Sequence, residues 1–227
     1  MSALLALLCV AVLGSLGWDA AGGYRMAAAS SVLLVVMGAA GSWDDRKGDE
    51  RPRGFGGHLG ALRSRTFTGG AVKAIAGGVA GLVAGAVLGD DLAQMVEVAL
   101  LVALGANLIN LFDRAPGRAG KVAFLAFIPL MVLGDPDWAV VTGGALGALI
   151  VCLVFDLRET AMLGDAGANP IGALLGLGLA ATLGETGRIV AIVILLALNL
   201  ASEKWSFSKV IAATPPLAWF DGLGRRK

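Results

Sequence analysis

The chain reads as an all-α polytopic membrane protein with about eight transmembrane or partly embedded helices. Three observations predict this. Of 227 residues, 57% are hydrophobic and only 15% are charged, whereas a soluble domain carries about a quarter charged residues. The charges are clustered and leave long uncharged stretches between them. The polar loops also alternate in charge sign along the chain, as the loops of a membrane protein do.

The apolar segments run over residues 3–17, 26–43, 70–89, 94–112, 122–133, 138–155, 170–183 and 188–202. Several fall short of the ~20 residues that a perpendicular span requires, which predicts tilted, broken or partly embedded helices. Segment 3–17 lacks a basic start and a second apolar segment follows closely, so it reads as a retained span rather than a signal peptide. Segment 70–89 carries Gly77, Gly81, Gly85 and Gly89, a smooth ridge that lets a neighbouring helix approach closely. Gly143, Gly144 and Gly147, and then Gly172 and Gly176, suit similar packing. Trp18, Trp43, Trp138, Trp205 and Trp219 lie near segment ends, where an indole sits between headgroups and hydrocarbon. Cys9 and Cys152 lie inside apolar runs and read as small buried hydrophobes rather than a disulfide.

The formal net charge of +1 hides a strong asymmetry. Asp19, Asp90, Asp91, Asp135, Asp137 and Glu185 fall on one side with Arg25 and Arg188, and the other 16 of the 18 lysines and arginines fall on the opposite side. Positive loops stay inside, which predicts cytoplasmic termini in a cell membrane. Residues 1–203 then form one helical membrane domain with cytoplasmic loops at 44–69, 113–121 and 156–169, and 204–227 form a basic cytoplasmic amphipathic tail. In that tail Trp205, Phe207, Val210 and Ile211 recur at a helix-like interval before Pro215-Pro216, and Leu217, Trp219 and Phe220 suggest another interfacial contact. The loop with Arg51, Arg53, Phe55 and His58 suits headgroups or a phosphorylated substrate, or simply holds its side of the membrane. No basic tract with interleaved aromatics points to nucleic acid.

Three carboxylate motifs interrupt the apolar chain, all on the basic side: Gly41-Ser42-Trp43-Asp44-Asp45, Asn107-Leu108-Ile109-Asn110-Leu111-Phe112-Asp113, and Met162-Leu163-Gly164-Asp165-Ala166-Gly167. Adjacent Asp44 and Asp45 stay ionised only if water, a cation or a metal compensates; alone they read as a solvated helix end. Asn107, Asn110 and Asp113 share one helical stripe, which glues helices together or presents two amides and a carboxylate to a ligand. After Asp165, Asn169 and Pro170 suit the cap and first residue of the seventh helix, whose start could face an anion. A single histidine, His58, argues against zinc or a Ser–His–Asp triad. Oxygen ligands favour Mg²⁺, with Mn²⁺ as the alternative.

Taken together and in this order, the motifs resemble those of the polyprenyl-phosphate N-acetylhexosamine-1-phosphate transferase superfamily, over about Gly41 to Gly176. The resemblance implies Mg²⁺-dependent transfer of a sugar 1-phosphate from a UDP-sugar to polyprenyl phosphate, with release of UMP. It implies that Asp44, with Asp45 beside it, deprotonates the lipid phosphate and that Asp165 holds Mg²⁺ on the pyrophosphate. Asn107, Asn110 and Asp113 would line the nucleotide and metal pocket, beside Gly164. Where the family continues Asp-Gly-x-Asp-Gly, this chain reads Asp113-Arg114-Ala115-Pro116-Gly117-Arg118, so Pro116 replaces the second aspartate and Arg114 and Arg118 offer phosphate contacts. A histidine-containing loop of the family has no counterpart; Ser202-Glu203-Lys204-Trp205-Ser206-Phe207 stands in its place. Two other classes remain open, a non-catalytic lipid-phosphate-binding scaffold and a small transporter. Transport is disfavoured by the clustering of carboxylates at one surface. A homodimer is compatible with the sequence but not specified by it.

Overall fold

The computed structural model describes residues 21–47, 69–88 and 91–225, and every regular element within them is a helix. In chain order these are α1 (Ala21–Lys47), α2 (Gly69–Leu88), α3 (Leu92–Phe112), α4 (Arg118–Leu133), α5 (Pro136–Leu157), α6 (Gly164–Thr182), α7 (Glu185–Lys204), α8 (Phe207–Ala213) and α9 (Pro215–Gly222). Segment 3–17, the loop carrying Arg51, Arg53, Phe55 and His58, and Cys9, Trp18 and Gly89 lie outside the described residues.

Among the described residues, four helices are long and apolar enough to cross a membrane: Gly23–Arg46 within α1, then α3, α5 and α7. The remaining described apolar segments form helices that are shorter or less apolar; in α2 the apolar stretch is Ile75–Leu88. Many large apolar side chains stay exposed, including Val190, Val193 and Ile194 on α7. In water such a surface is an aggregation hazard; in a bilayer it meets lipid.

At the centre stands α6, which is buried from Gly167 through Gly178. It packs most extensively on α3 and α1. The reason is backbone proximity. A Cβ on Gly172 would lie 2.7 Å from the Ala106 Cα, and one on Gly176 would lie 2.8 Å from the Val102 Cα. Small residues thus let α3 and α6 touch main chain to main chain, gaining dispersion contacts that bulkier side chains would prevent. The ridge on α2 works in part: Gly81 and Gly85 lie against Ala99 and Met95 of α3, whereas Gly77 faces the flexible Met37 side chain. Among the described residues, nothing lies within 4 Å of a Cβ placed on Gly143 or Gly147, so neither packs against a described helix of this chain.

Local sequence sets two helix starts. The Asp91 carboxylate accepts from the Gln94 N–H at 2.8 Å, and Asp135 accepts from the Trp138 N–H at 2.8 Å, with Pro136 opening α5. Trp138 itself corrects an expectation. It is fully buried rather than interfacial: its indole N–H donates to the Leu174 carbonyl at 2.9 Å, and its ring stacks on Phe127. With its polar atom satisfied, the large apolar ring is better placed in the core. Trp43, Trp205 and Trp219 are exposed.

Candidate carboxylate site

The C-terminal ends of α1, α3 and α5 meet the N-terminal end of α6, and this brings the three carboxylate motifs together. The closest approach is between α1 and α6. Gly41 leaves room for the backbone of Asp165 and Ala166, since any Cβ there would overlap it. The chain then carries Asp45 over the start of α6. Its Oδ1 accepts from the Asp165 N–H and its Oδ2 from the Ala166 N–H, both at 3.1 Å. A carboxylate from another helix therefore satisfies amides that the first turn of α6 leaves without intrahelical partners. This overturns the local cap expected from Asn169 and Pro170. The helix begins at Gly164, and both residues lie inside it.

Two glycines complete the site through their backbones. Gly164 and Gly117 adopt φ of 63° and 69°, a left-handed conformation costly for a residue with a Cβ. The backbone N–H of Gly164 favours the ionised form of Asp113. Asp113, just beyond the end of α3, has its carboxyl pushed up to about 6. Burial is the main cause, followed by the negative charge of Asp156; Asp165 and Asp45 add to it, and the Gly164 backbone N–H opposes it.

Asp156 is the residue that sequence reading missed. It sits in the last turn of α5, almost wholly buried, and its Oδ2 has no hydrogen-bond partner among the described residues. The available signal was a lone acid ending an uncharged run, at Phe155-Asp156-Leu157.

The other residues expected at the site divide. Asp44 follows Trp43 at the end of α1 and is half-buried beside the exposed Asp45. Asn110 lies one turn before Asp113, and its carbonyl accepts the Asp113 N–H at 3.0 Å. Asn107 instead donates from Nδ2 to the Oδ1 of Asn199 on α7, at 2.5 Å. Asn199 is buried and donates in turn to the Leu195 carbonyl and, at 3.2 Å, to the Leu104 carbonyl. Of the two readings open for Asn107, the structure gives it the helix-bridging partner.

Arg118 is likewise held by the protein. Its Nε and Nη2 donate to the two carboxylate oxygens of Asp221 at 2.8 Å each, and its Nη1 donates to Ser208 at 2.7 Å. Arg225 adds a second ion pair to Asp221 at 2.8 Å, and the Lys121 ammonium donates to the carbonyls of Phe220 and Leu223 at 3.1 Å. The hydrogen bonds and charge of Arg118 hold the Asp221 carboxyl below the usual carboxylate range. Residues of the basic tail thus fold back as α8 and α9 and lock onto α4, while Phe207 stacks on Phe112 of α3 with centroids 5.0 Å apart. Arg114 stays exposed.

Among the described residues no three His, Cys, Asp or Glu side chains converge closely enough to enclose a metal by themselves. Mg²⁺ does not require that: it usually takes one or two carboxylates and completes its shell with water and substrate phosphate. The donors here are hard oxygens, Asp156 has an orphaned buried oxygen, and mutual carboxylate repulsion at Asp113 is what a cation relieves. The residues fit such an ion.

The chain matches no protein-family model, no curated protein and no solved structure.

Proposed function

We propose that this protein transfers a sugar 1-phosphate from a UDP-sugar to polyprenyl phosphate at the cytoplasmic face of the cell membrane, in cell-envelope glycan synthesis such as that of peptidoglycan. The observation that carries the reading is the gathering of Asp45, Asp113 and Asp165, from three distant motifs, around the start of α6. A bundle end rich in carboxylates beside basic residues suits a metal diphosphate better than it suits an apolar ligand.

Asp44 accepts the proton of the lipid phosphate, whose oxygen then attacks the sugar-bearing phosphorus of the UDP-sugar. The bond from that phosphorus to the bridging oxygen breaks, and UMP leaves with the electron pair. Asp165 and Asp113 would hold Mg²⁺, which would neutralise diphosphate charge. Asp45 fixes the backbone of Asp165 and so sets where that carboxylate points. The Gly164 N–H favours the ionised form of Asp113. Asn110 faces the nucleotide.

The test incubates purified protein with Mg²⁺, undecaprenyl phosphate and a panel of UDP-sugars, following UMP release for wild type and Asp44→Asn. Release that Asp44→Asn abolishes is the expected result. No release from wild type with any sugar nucleotide sinks the enzyme reading. A second reading, a non-catalytic scaffold that binds lipid phosphate, is favoured by Pro116 in place of an acid and by the engagement of Arg118 with Asp221. It predicts lipid binding without UMP release.

A further inference from the structure

The loop Asp113-Arg114-Ala115-Pro116-Gly117 joins the end of α3 to the start of α4. It carries an acid of the carboxylate site at its start and a left-handed glycine, Gly117, at its end. Local bonds tie the two ends: the Asp113 N–H donates to the Asn110 carbonyl at 3.0 Å, and the Arg118 N–H to the Ala115 carbonyl at 3.1 Å. Pro116 has no N–H to give. Its carbonyl accepts instead from the Nε of Arg225, 109 residues away, at 2.9 Å.

Arg225 is itself held. Its Nη2 pairs with Asp221 at 2.8 Å, and the same carboxylate takes both prongs of Arg118, the first residue of α4. Lys121 grips the end of α9 through the Phe220 and Leu223 carbonyls at 3.1 Å each. Gly224, with φ of 74°, then turns the chain against α5: a Cβ there would lie 3.1 Å from Cδ1 of Leu157. A Cβ on Gly117 would overlap Cδ2 of the same leucine. The tail, the 113–117 loop and the end of α5 thus meet around Leu157, next to Asp156 in the chain. Arg225 and Lys121 are also cations whose charge reaches Asp156. A guanidinium fixed on one side by an ion pair makes a charge-assisted, directional bond on the other.

We propose that Arg225 is a positioning residue of the carboxylate site: from the C-terminal tail it straps the loop at Pro116 and so fixes where Asp113 stands. Pro116 is where the chain departs from the family motif, so the strap belongs to this chain's own residues. The strap rests on these contacts alone; only its effect on cation binding rests on the proposed role of Asp113.

The test compares the full-length chain in phosphatidylcholine nanodiscs with Arg225→Gln and Arg225→Lys. Amide hydrogen exchange reads the 113–118 segment, and titration with Mn²⁺ alone, followed by electron paramagnetic resonance, reads the site. Thermal unfolding checks that each variant is folded. In Arg225→Gln the loop amides should exchange about tenfold faster, the change that ~1.4 kcal/mol makes, while α3 and α6 keep their protection. Mn²⁺ should bind several-fold more weakly although melting changes little, and Arg225→Lys, which keeps a charged donor, should restore part of both losses. Should Arg225→Gln melt far below wild type, Arg225→Lys carries the comparison with smaller changes of the same sign. Loop exchange equal to wild type overturns the strap, whether or not the tail itself exchanges faster. Faster loop exchange with unchanged Mn²⁺ affinity overturns the positioning of Asp113. If wild type binds no Mn²⁺, the cation reading of Asp113 and Asp165 falls, and faster loop exchange alone still upholds the strap.

Discussion

The Asp45 carboxylate caps the helix that carries Asp165, taking the Asp165 and Ala166 N–H groups at 3.1 Å each across 120 residues of sequence. An aspartate next to the candidate base is therefore a positioning group for the candidate metal ligand. Asp45→Ala should lose about 1 kcal/mol of stability, the usual worth of a cap. Asp45→Asn keeps one acceptor oxygen and should lose less. Thermal unfolding in detergent checks the order, and equal melting of the two variants contradicts the cap.

Asp113 offers a pH test. Its folded carboxyl titrates near 6, above the ordinary 3.8, so ionisation costs the folded state. That cost is absent below the unfolded value, grows between 3.8 and about 6, and is complete above. Asp113→Asn removes it and keeps the size and shape of the side chain. The variant should therefore melt higher than wild type at about pH 7.5, with the gap closing toward about pH 4. Added Mg²⁺ should raise wild-type melting more at about pH 7.5 than at about pH 5, since only the ionised carboxylate binds it. A pH-independent difference would falsify this account of Asp113.

Arg118 and Asp221 form a two-pronged ion pair with side chains only 9% and 10% exposed. Removing Arg118 takes the two-pronged partner from a buried carboxylate and leaves it Arg225 alone, so Arg118→Ala should cost about 3 kcal/mol. It should also free the α8–α9 segment for limited proteolysis. Arg118→Met combined with Asp221→Leu removes both charges and should recover most of the loss. If the single and double variants are cleaved alike and melt alike, the pair is not what holds the tail.

Glycine packing separates two positions of equal sequence character. Gly172→Ala forces a Cβ to 2.7 Å from the Ala106 Cα and should cost about 1–3 kcal/mol. Gly143→Ala meets nothing within 4 Å and should be neutral or stabilise by up to about 1 kcal/mol through helix propensity. Thermal melting of both variants gives the comparison.

Sequence by itself determined the solvent and the grouping. Apolar length predicts α1 through α7 as helices, because in lipid a segment of this length satisfies its own backbone groups only by helical hydrogen bonding. Charge asymmetry put Asp44-Asp45, Asn110-Asp113 and Gly164-Asp165 on one side, and the folded chain brings them to one end. Residue type alone also marked Gly172 and Gly176 as packing positions. What only tertiary structure decided is partnership. Asp45 serves as a cap for α6, Asn107 meets Asn199, Arg118 meets Asp221, Trp138 turns into the core, and Asp156 keeps a buried oxygen beside Asp113. A polar side chain in an apolar helix announces that it needs a partner. Which one it finds depends on helices that lie 92 and 103 residues away for Asn107 and Arg118, a distance across which local periodicity carries no information.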